Sequence, residues 1–281
     1  MRVRTLIALA GLTAAALAGC GDDEATIIAK EGPKANDVVL SVAHSGGFIA
    51  PSATFSETPS AVVYGDGTTL QPGAMIEIYP GPAYVPLHEG KLTQDVIDGL
   101  LEQAQEQELD LTGEPVDAGQ PPVADAPDTV LVIRTPDGKV VTHSANALGM
   151  DVGGAETMTE QQQDARRRMQ EMVSAIESAV SDVASDEFVP DGYRLRATGA
   201  DPAQFGGTAD GEPEPRIKPW PVAGVDLAAA AECLAVTGAD ADGVRDTMKQ
   251  ADQLTFFTSA GTTYQVVIRP LLPDEDGCPT S

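Results

Sequence analysis

The 281-residue chain carries 43 acidic residues against 17 Lys and Arg, a formal net charge of −26, with a sequence pI near 4.2. That balance argues against a nucleic-acid binder, which needs cations clustered against phosphate, and against charge-driven docking on anionic lipid. At 42% hydrophobic residues the chain has enough apolar mass for a folded core, and its length fits one large domain or two ordinary ones.

Arg2 and Arg4 open the sequence, and an uncharged apolar run follows from Leu6 to Leu17. The run is shorter than the about 20 apolar residues a bilayer span requires, and it fits the h-region of a secretory signal. It ends in Leu17-Ala18-Gly19-Cys20, which resembles a bacterial lipobox. In a lipobox the thiol carries diacylglycerol and becomes the first mature residue. A single acyl chain such as palmitate holds a membrane only marginally, whereas the two chains of a diacylglycerol give a stable anchor. Residues 1–19 are therefore expected to be a lipoprotein signal peptide, with Cys20 as the lipidation site and the membrane as a partner through the diacylglycerol. Residues 20–36, led by Gly21-Asp22-Asp23-Glu24, read as an acidic tether. The expected location is the outer face of the cytoplasmic membrane. No second long apolar run follows.

Val38 to Val42 is rich in β-branched residues and predicts a strand; Ala61 to Tyr64 predicts a second, turning at Gly65-Asp66-Gly67 into a third from Thr68. Met75 to Tyr79 reads as extended and runs into a loop holding Pro80, Pro82 and Pro86. Thr93 is a good N-cap, and Val96, Ile97, Leu100, Leu101 and Ala104 predict a helix over 94–107. Thr129 to Thr135 and Lys139 to Ser144 flank the turn Pro136-Asp137-Gly138 as a hairpin. Ala165, Met169, Met172, Val173, Ile176, Val180 and Val183 recur at steps of three and four and predict a helix over about 160–184. Hairpin–helix–hairpin–helix over 37–187 predicts an α+β domain, an antiparallel sheet with two helices on one face.

Residues 188–230 are rich in Gly, Pro and acid and read as a linker with one short strand at 193–197. Residues 231–281 read as a small β-α-β-β unit. Cys233 and Cys278 are the two thiols besides Cys20, and in an oxidising compartment they are expected to pair. Such a bridge would staple a unit of about 50 residues that is marginal by itself.

Candidate chemistry is sparse. Ala43-His44-Ser45-Gly46-Gly47 matches A-x-S-x-G, the nucleophile elbow of some small bacterial lipases, but Pro51 follows where a helix must begin. His143-Ser144 repeats the His-Ser pair, and His44 and His143 would bind a metal only if the fold brought them together. Asp240, Asp242 and Asp246 sit in a faint calcium-loop pattern whose twelfth position is Ala251, so helix capping explains them better. Arg166-Arg167-Arg168 is the one basic run; it reads as a solvated helix face, or else as a patch for an anionic wall polymer. Asp274-Glu275-Asp276 reads as a solvated tail. The Pro-stiffened segment from Tyr79 to His88, with Tyr79, Tyr84 and His88, is the expected partner contact, and Trp220 between two prolines has the same standing. The competing reading packs the segment onto the fold.

These residues resemble a group of secreted lipoproteins from actinobacteria. The resemblance is carried by the lipobox, by Val63 to Gly67, by Glu77 to Pro82, by Ala124-Asp125-Ala126-Pro127, by Gln250 to Leu254, and by Tyr264 to Pro273 with Cys278. It implies location and continuity of fold, and no catalytic residue. The expected function is a non-enzymatic binding or interaction lipoprotein with an envelope-protein or cell-wall partner, and no cofactor. The alternatives are a carrier of a lipid or small apolar ligand, with Met169, Met172 and Ile176 lining its space, and a serine hydrolase acting through Ser45.

Overall fold

The computed structural model describes residues 32–49, 51–74, 78–109, 114–135, 137–151, 157–205 and 213–279. The expected signal peptide, Cys20 and most of the tether lie outside them, as do residues 75–77 of the expected strand at Met75 to Tyr79. The described chain is α+β, built on two sheets. Strands β1 (Val38–Ser45), β2 (Ala61–Tyr64), β3 (Thr68–Pro72), β4 (Leu87–Lys91), β5 (Asp128–Arg134), β6 (Val140–Asn146) and β7 (Asp186–Glu187) form the first, in the order β6-β5-β1-β2-β3-β4-β7, antiparallel throughout. Between them the chain makes helices α1 (Pro51–Ser56), α2 (Gln94–Glu106) and α3 (Glu160–Ser181).

The helical stripes bury as their spacing requires. Ile97, Leu100 and Ala104 of α2, with Met169, Met172, Val173, Ile176 and Val180 of α3, pack on Val42, Leu131, Ile133 and Ala145 of the sheet. Met169, Met172 and Ile176 are fully enclosed, so this core is filled at the residues a carrier would use. Thr159 starts α3 with a capping box closed by Gln162. The arginine run is not a free face. Arg166 donates to the carbonyls of Asn146 (2.8 Å) and Ala147 (3.0 Å), Arg168 to that of Gln107 (2.6 Å) at the end of α2, and Arg167 pairs with Asp164 and Glu171. The run ties α3 to its neighbours because those chain turns leave carbonyls that need donors.

Strands β8 (Gly192–Gly199), β9 (Arg216–Pro219), β10 (Leu234–Thr237), β11 (Thr255–Ser259) and β12 (Thr262–Pro270) form the second sheet, ordered β10-β8-β12-β11-β9. Helix α4 (Gly238–Lys249) buries Ala241, Val244 and Met248 against its core. Residues 188–230, expected as a linker, supply β8 and β9. β8 is an interior strand, so its Gly- and Pro-rich flanks mark turns around a strand that is central to the sheet. The two halves also share structure. Tyr84, from the segment before β4, lies in the second core, and Leu272, past β12, packs with Val62, Tyr64, Leu70 and Leu87 on the first sheet.

β4 has no β-branched residue and was not expected as a strand. Its Gly90 is needed because a Cβ there would lie 2.5 Å from the carbonyl oxygen of Val183. At the hairpin between β11 and β12, Ala260 and Gly261 both have positive φ (49° and 81°), the geometry of a two-residue type I′ turn.

The acidic tail is a structural clamp. Glu275 accepts from the Arg269 side chain (2.5 Å), pairs with Arg194 (3.1 Å) and accepts from the Leu272 N–H (3.0 Å). Asp274 accepts from the Tyr64 hydroxyl of β2 (2.9 Å). Burial, together with Asp274, pushes the Tyr64 phenol well above its ordinary pKa. Cys233 and Cys278 are bridged across a separation of 45 residues. That closure stabilises by about 4 kcal/mol in the chain-entropy picture, and it holds the tail to the start of β10. With Arg194, Arg269 and Glu275 only 15%, 11% and 17% exposed, Glu275→Ala strands two guanidiniums. It is expected to cost about 3 kcal/mol in urea unfolding, against about 1 kcal/mol for Tyr64→Phe.

Candidate functional site

The expected partner-contact residues do not form one surface. Tyr79 is exposed (63%) beside exposed Ile78, whereas Tyr84 is buried (6%). The Tyr84 ring meets that of Tyr193 edge-on at 5.8 Å, with the hydroxyls 3.5 Å apart. Burial raises the pKa of both phenols. His88 stands in β4 opposite Gln71 and Glu187. Trp220 donates from Nε1 to the Val225 carbonyl (3.1 Å) and lies edge-on to Phe257 at 5.1 Å. In a chain with 4% aromatic residues, these large rings fill the second core. Tyr84 and Trp220 share that core; Tyr79 and His88 lie apart from it.

Ser45 ends β1 opposite Asp128 and runs into Gly46 and Gly47, both with positive φ, so no helix follows it directly. Among the described residues, no hydrogen bond joins Ser45 to a histidine. His44 contacts Thr129 through Nδ1 (3.2 Å), and its Nε2 lies 3.8 Å from a Glu177 oxygen that also accepts from Ser60 (2.8 Å). The Glu177 carboxylate links His44 to Ser60 and braces α3 against the first sheet. His143 is fully buried in β6. Its Nε2 is 2.7 Å from the Leu109 carbonyl, and its Nδ1 accepts from the Val116 N–H (3.1 Å). Both ring nitrogens are committed to backbone, which fixes the neutral tautomer. Among the described residues no cluster of three or more His, Cys, Asp or Glu could hold a metal. Asp242 and Asp246 both pair with Arg245 in α4.

Among the described residues the fold builds a polar cleft of about 180 Å3 beside β12. Gln265, Val266 and Val267 of β12 form one wall. Asp252, Gln253 and Thr255, with Pro82 and Ala83, form the other, and Ala53 and Ser56 of α1 complete it. The opposite wall is assembled from distant segments. Pro82 bridges Asp252, the Gly81 N–H donates to Gln253 Oε1 (3.2 Å), and the Gln253 N–H donates to the Gly81 carbonyl (2.9 Å). Asp252 accepts from the Leu254 N–H (3.1 Å) and the Thr255 hydroxyl (2.8 Å), and it pairs with Arg216. Burial pushes the Asp252 carboxyl up, but Arg216 and Thr255 outweigh it and hold it below the usual carboxylate range. The Ser56 hydroxyl donates to the Ala53 carbonyl (3.0 Å).

The lining thus offers amides, hydroxyls and one ionised carboxylate, with no histidine beside its serine. Such a set recognises a small polar group by hydrogen bonds. Sequence reading missed it. Asp252, Gln253, Thr255 and Gln265 follow no motif, and only the bridge to Pro82 brings the second wall into being.

No protein-family model, curated protein or solved structure matches the chain.

Burial pushes the His143 imidazole below its ordinary value of 6.5, with Arg168 acting in the same direction against the Leu109 carbonyl. The unfolded state therefore takes up a proton that the folded state resists. The stabilising effect is fully present above pH 6.5 and is lost as pH falls below it, at up to about 1.4 kcal/mol per pH unit. Urea unfolding at pH 7.5 and 5.5 is expected to show this loss in the native protein and a smaller one in His143→Gln.

Proposed function

We propose that this chain is a lipid-anchored extracytoplasmic binding lipoprotein without enzymatic activity, held at the outer face of the cytoplasmic membrane through Cys20. The resemblance to actinobacterial secreted lipoproteins supports the location. So does the Cys233–Cys278 bridge, since such bonds persist in oxidising compartments. The observation that carries the binding reading is the polar cleft at the margin of the second packed core. Its lining pairs hydrogen-bonding groups with no nucleophile–base couple.

The enclosure of Met169, Met172 and Ile176 favours this over a carrier, which needs space at those side chains. The engagement of His44 with Thr129 and Glu177, and of His143 with backbone groups, favours it over a hydrolase acting through Ser45. An envelope protein or a cell-wall component is the expected class of partner.

Two measurements test this reading. Cys20→Ala is expected to move the protein from the membrane pellet to the soluble fraction; retention in the pellet overturns the anchor. Native mass spectrometry of a Cys20→Ser form is expected to give the bare chain lacking two hydrogens for the disulfide. An additional mass that leaves on denaturation overturns the binding module in favour of a carrier.

A further inference from the structure

We propose that the cleft beside β12 takes a single neutral sugar ring, an inference that rests on the binding reading above and names its ligand class. The lining argues against charged ligands. Among the described residues it holds no Lys, Arg or His to receive a phosphate or a carboxylate. Its one charged residue, Asp252, is paired with Arg216, so it does not select a cation either. A peptide added as a strand is opposed by burial, since Val266 and Ile268 are only 5% and 2% exposed. What fits is a compact neutral molecule that hydrogen-bonds around its own periphery.

The polar groups left over in the cleft are those a ring of hydroxyls uses. Gln253 accepts from the Gly81 N–H through Oε1 (3.2 Å), and among the described residues its Nε2 has no acceptor. The half-buried Gln265 side chain has no hydrogen-bond partner among the described residues, so it offers both a donor and an acceptor. Asp252 accepts from the Leu254 N–H, the Thr255 hydroxyl and Arg216. An ionised carboxylate has about four acceptor positions, which leaves one open. Asp252 and Gln253 stand on one wall and Gln265 on the other. Each hydroxyl of a sugar is donor and acceptor at once, so neighbouring hydroxyls can meet both walls.

A sugar ring also has an apolar side, its C–H bonds, and Val266, Val267, Pro82, Ala83 and Ala53 stand among the polar groups of the lining. The volume, about 180 Å3, lies below the about 300–1,000 Å3 of sites for drug-sized molecules and suits one ring. The turn that carries Tyr79 adjoins the Asp252–Gln253 wall, because Gln253 bonds both the N–H and the carbonyl of Gly81. Tyr79 is 63% exposed, whereas Tyr64, Tyr84 and Tyr193 are buried. The negative face of such a ring attracts the C–H side of a sugar, and Tyr79 thus extends the site at its edge.

The test is amide NMR of the full chain titrated with the methyl glycosides of glucose, galactose and mannose, with N-acetylglucosamine, with glucuronic acid, and with N-acetylalanine methylamide as a blocked peptide unit. At least one neutral sugar is expected to shift Thr255, Val267 and the side-chain amides of Gln253 and Gln265. Glucuronic acid is expected to bind severalfold more weakly, its carboxylate opposed by Asp252 and the net charge of −26. Gln265→Ala is expected to weaken the sugar about tenfold, and Tyr79→Ala severalfold. Neither side chain carries a contact of the fold, and the native amide pattern checks that both variants are folded. Unchanged affinity in both variants overturns the placement of the sugar in this cleft, and equal binding of glucuronic acid overturns its neutrality. A response confined to the blocked peptide unit overturns the sugar and leaves the cleft a binding site. Silence of the cleft toward every probe overturns both readings.

Discussion

Arg194 on β8 and Arg269 on β12 lie side by side on one face of the second sheet, each mostly buried, and two such cations cannot converge in a low-dielectric setting without a counter-charge. Glu275 is that counter-charge, and much of the fold follows from how it is delivered. It arrives on the tail beyond β12, so the tail must fold back over the sheet. Leu272 is thereby carried onto the outer face of the first sheet, and Asp274 to the hydroxyl of Tyr64. The Arg269 Nε also donates to the Glu57 carbonyl, just past α1, so the same guanidinium fixes the helix that closes the cleft. The disulfide holds the tail at its far end, where the Arg194 Nε donates to the Gly277 carbonyl. One carboxylate therefore couples the two sheets, the short helix and the covalent bridge.

An acidic chain uses its few cations in this way throughout. Arg166 and Arg168 satisfy carbonyls at the ends of neighbouring elements, Arg245 neutralises carboxylates on its own helix, and Arg216 holds the aspartate of the cleft. Arg196 is the contrast: its guanidinium carbon lies over the ring of Phe55, 5.2 Å from the ring centre. Surface pairs of this kind contribute little individually. The value of Arg166, Arg168 and Arg216 is positional, since each ties one segment of the chain to another.

The secondary elements were largely legible in the sequence. The three- and four-residue spacing of Met169, Met172, Val173, Ile176 and Val180 marked α3, and the β-branched runs at 38–42, 61–64 and 129–135 marked β1, β2 and β5. Period and branching are local properties, and they survive in the fold because burial of one face rewards them. β4 and β8 were less legible. β4, Leu-His-Glu-Gly-Lys, has no β signal, and it is a strand because β3 and β7 offer it partners. β8 was read as a short extended piece inside a linker because Gly and Pro flank it, yet its two neighbours place it inside a sheet.

The sequence by itself determined the charge, the two thiols available to pair, and the alternation of hairpins and long helices. All of these are read from composition or from neighbours within a few residues. The tertiary structure decided that Tyr84 and Trp220 fill a core, that the acidic tail is a clamp, and that β12 outruns β11 to leave a cleft walled by residues near positions 53, 82, 253 and 266. Those outcomes depend on contacts between segments up to about 200 residues apart, whose energy lies in mutual geometry, and no local pattern encodes a meeting of that kind.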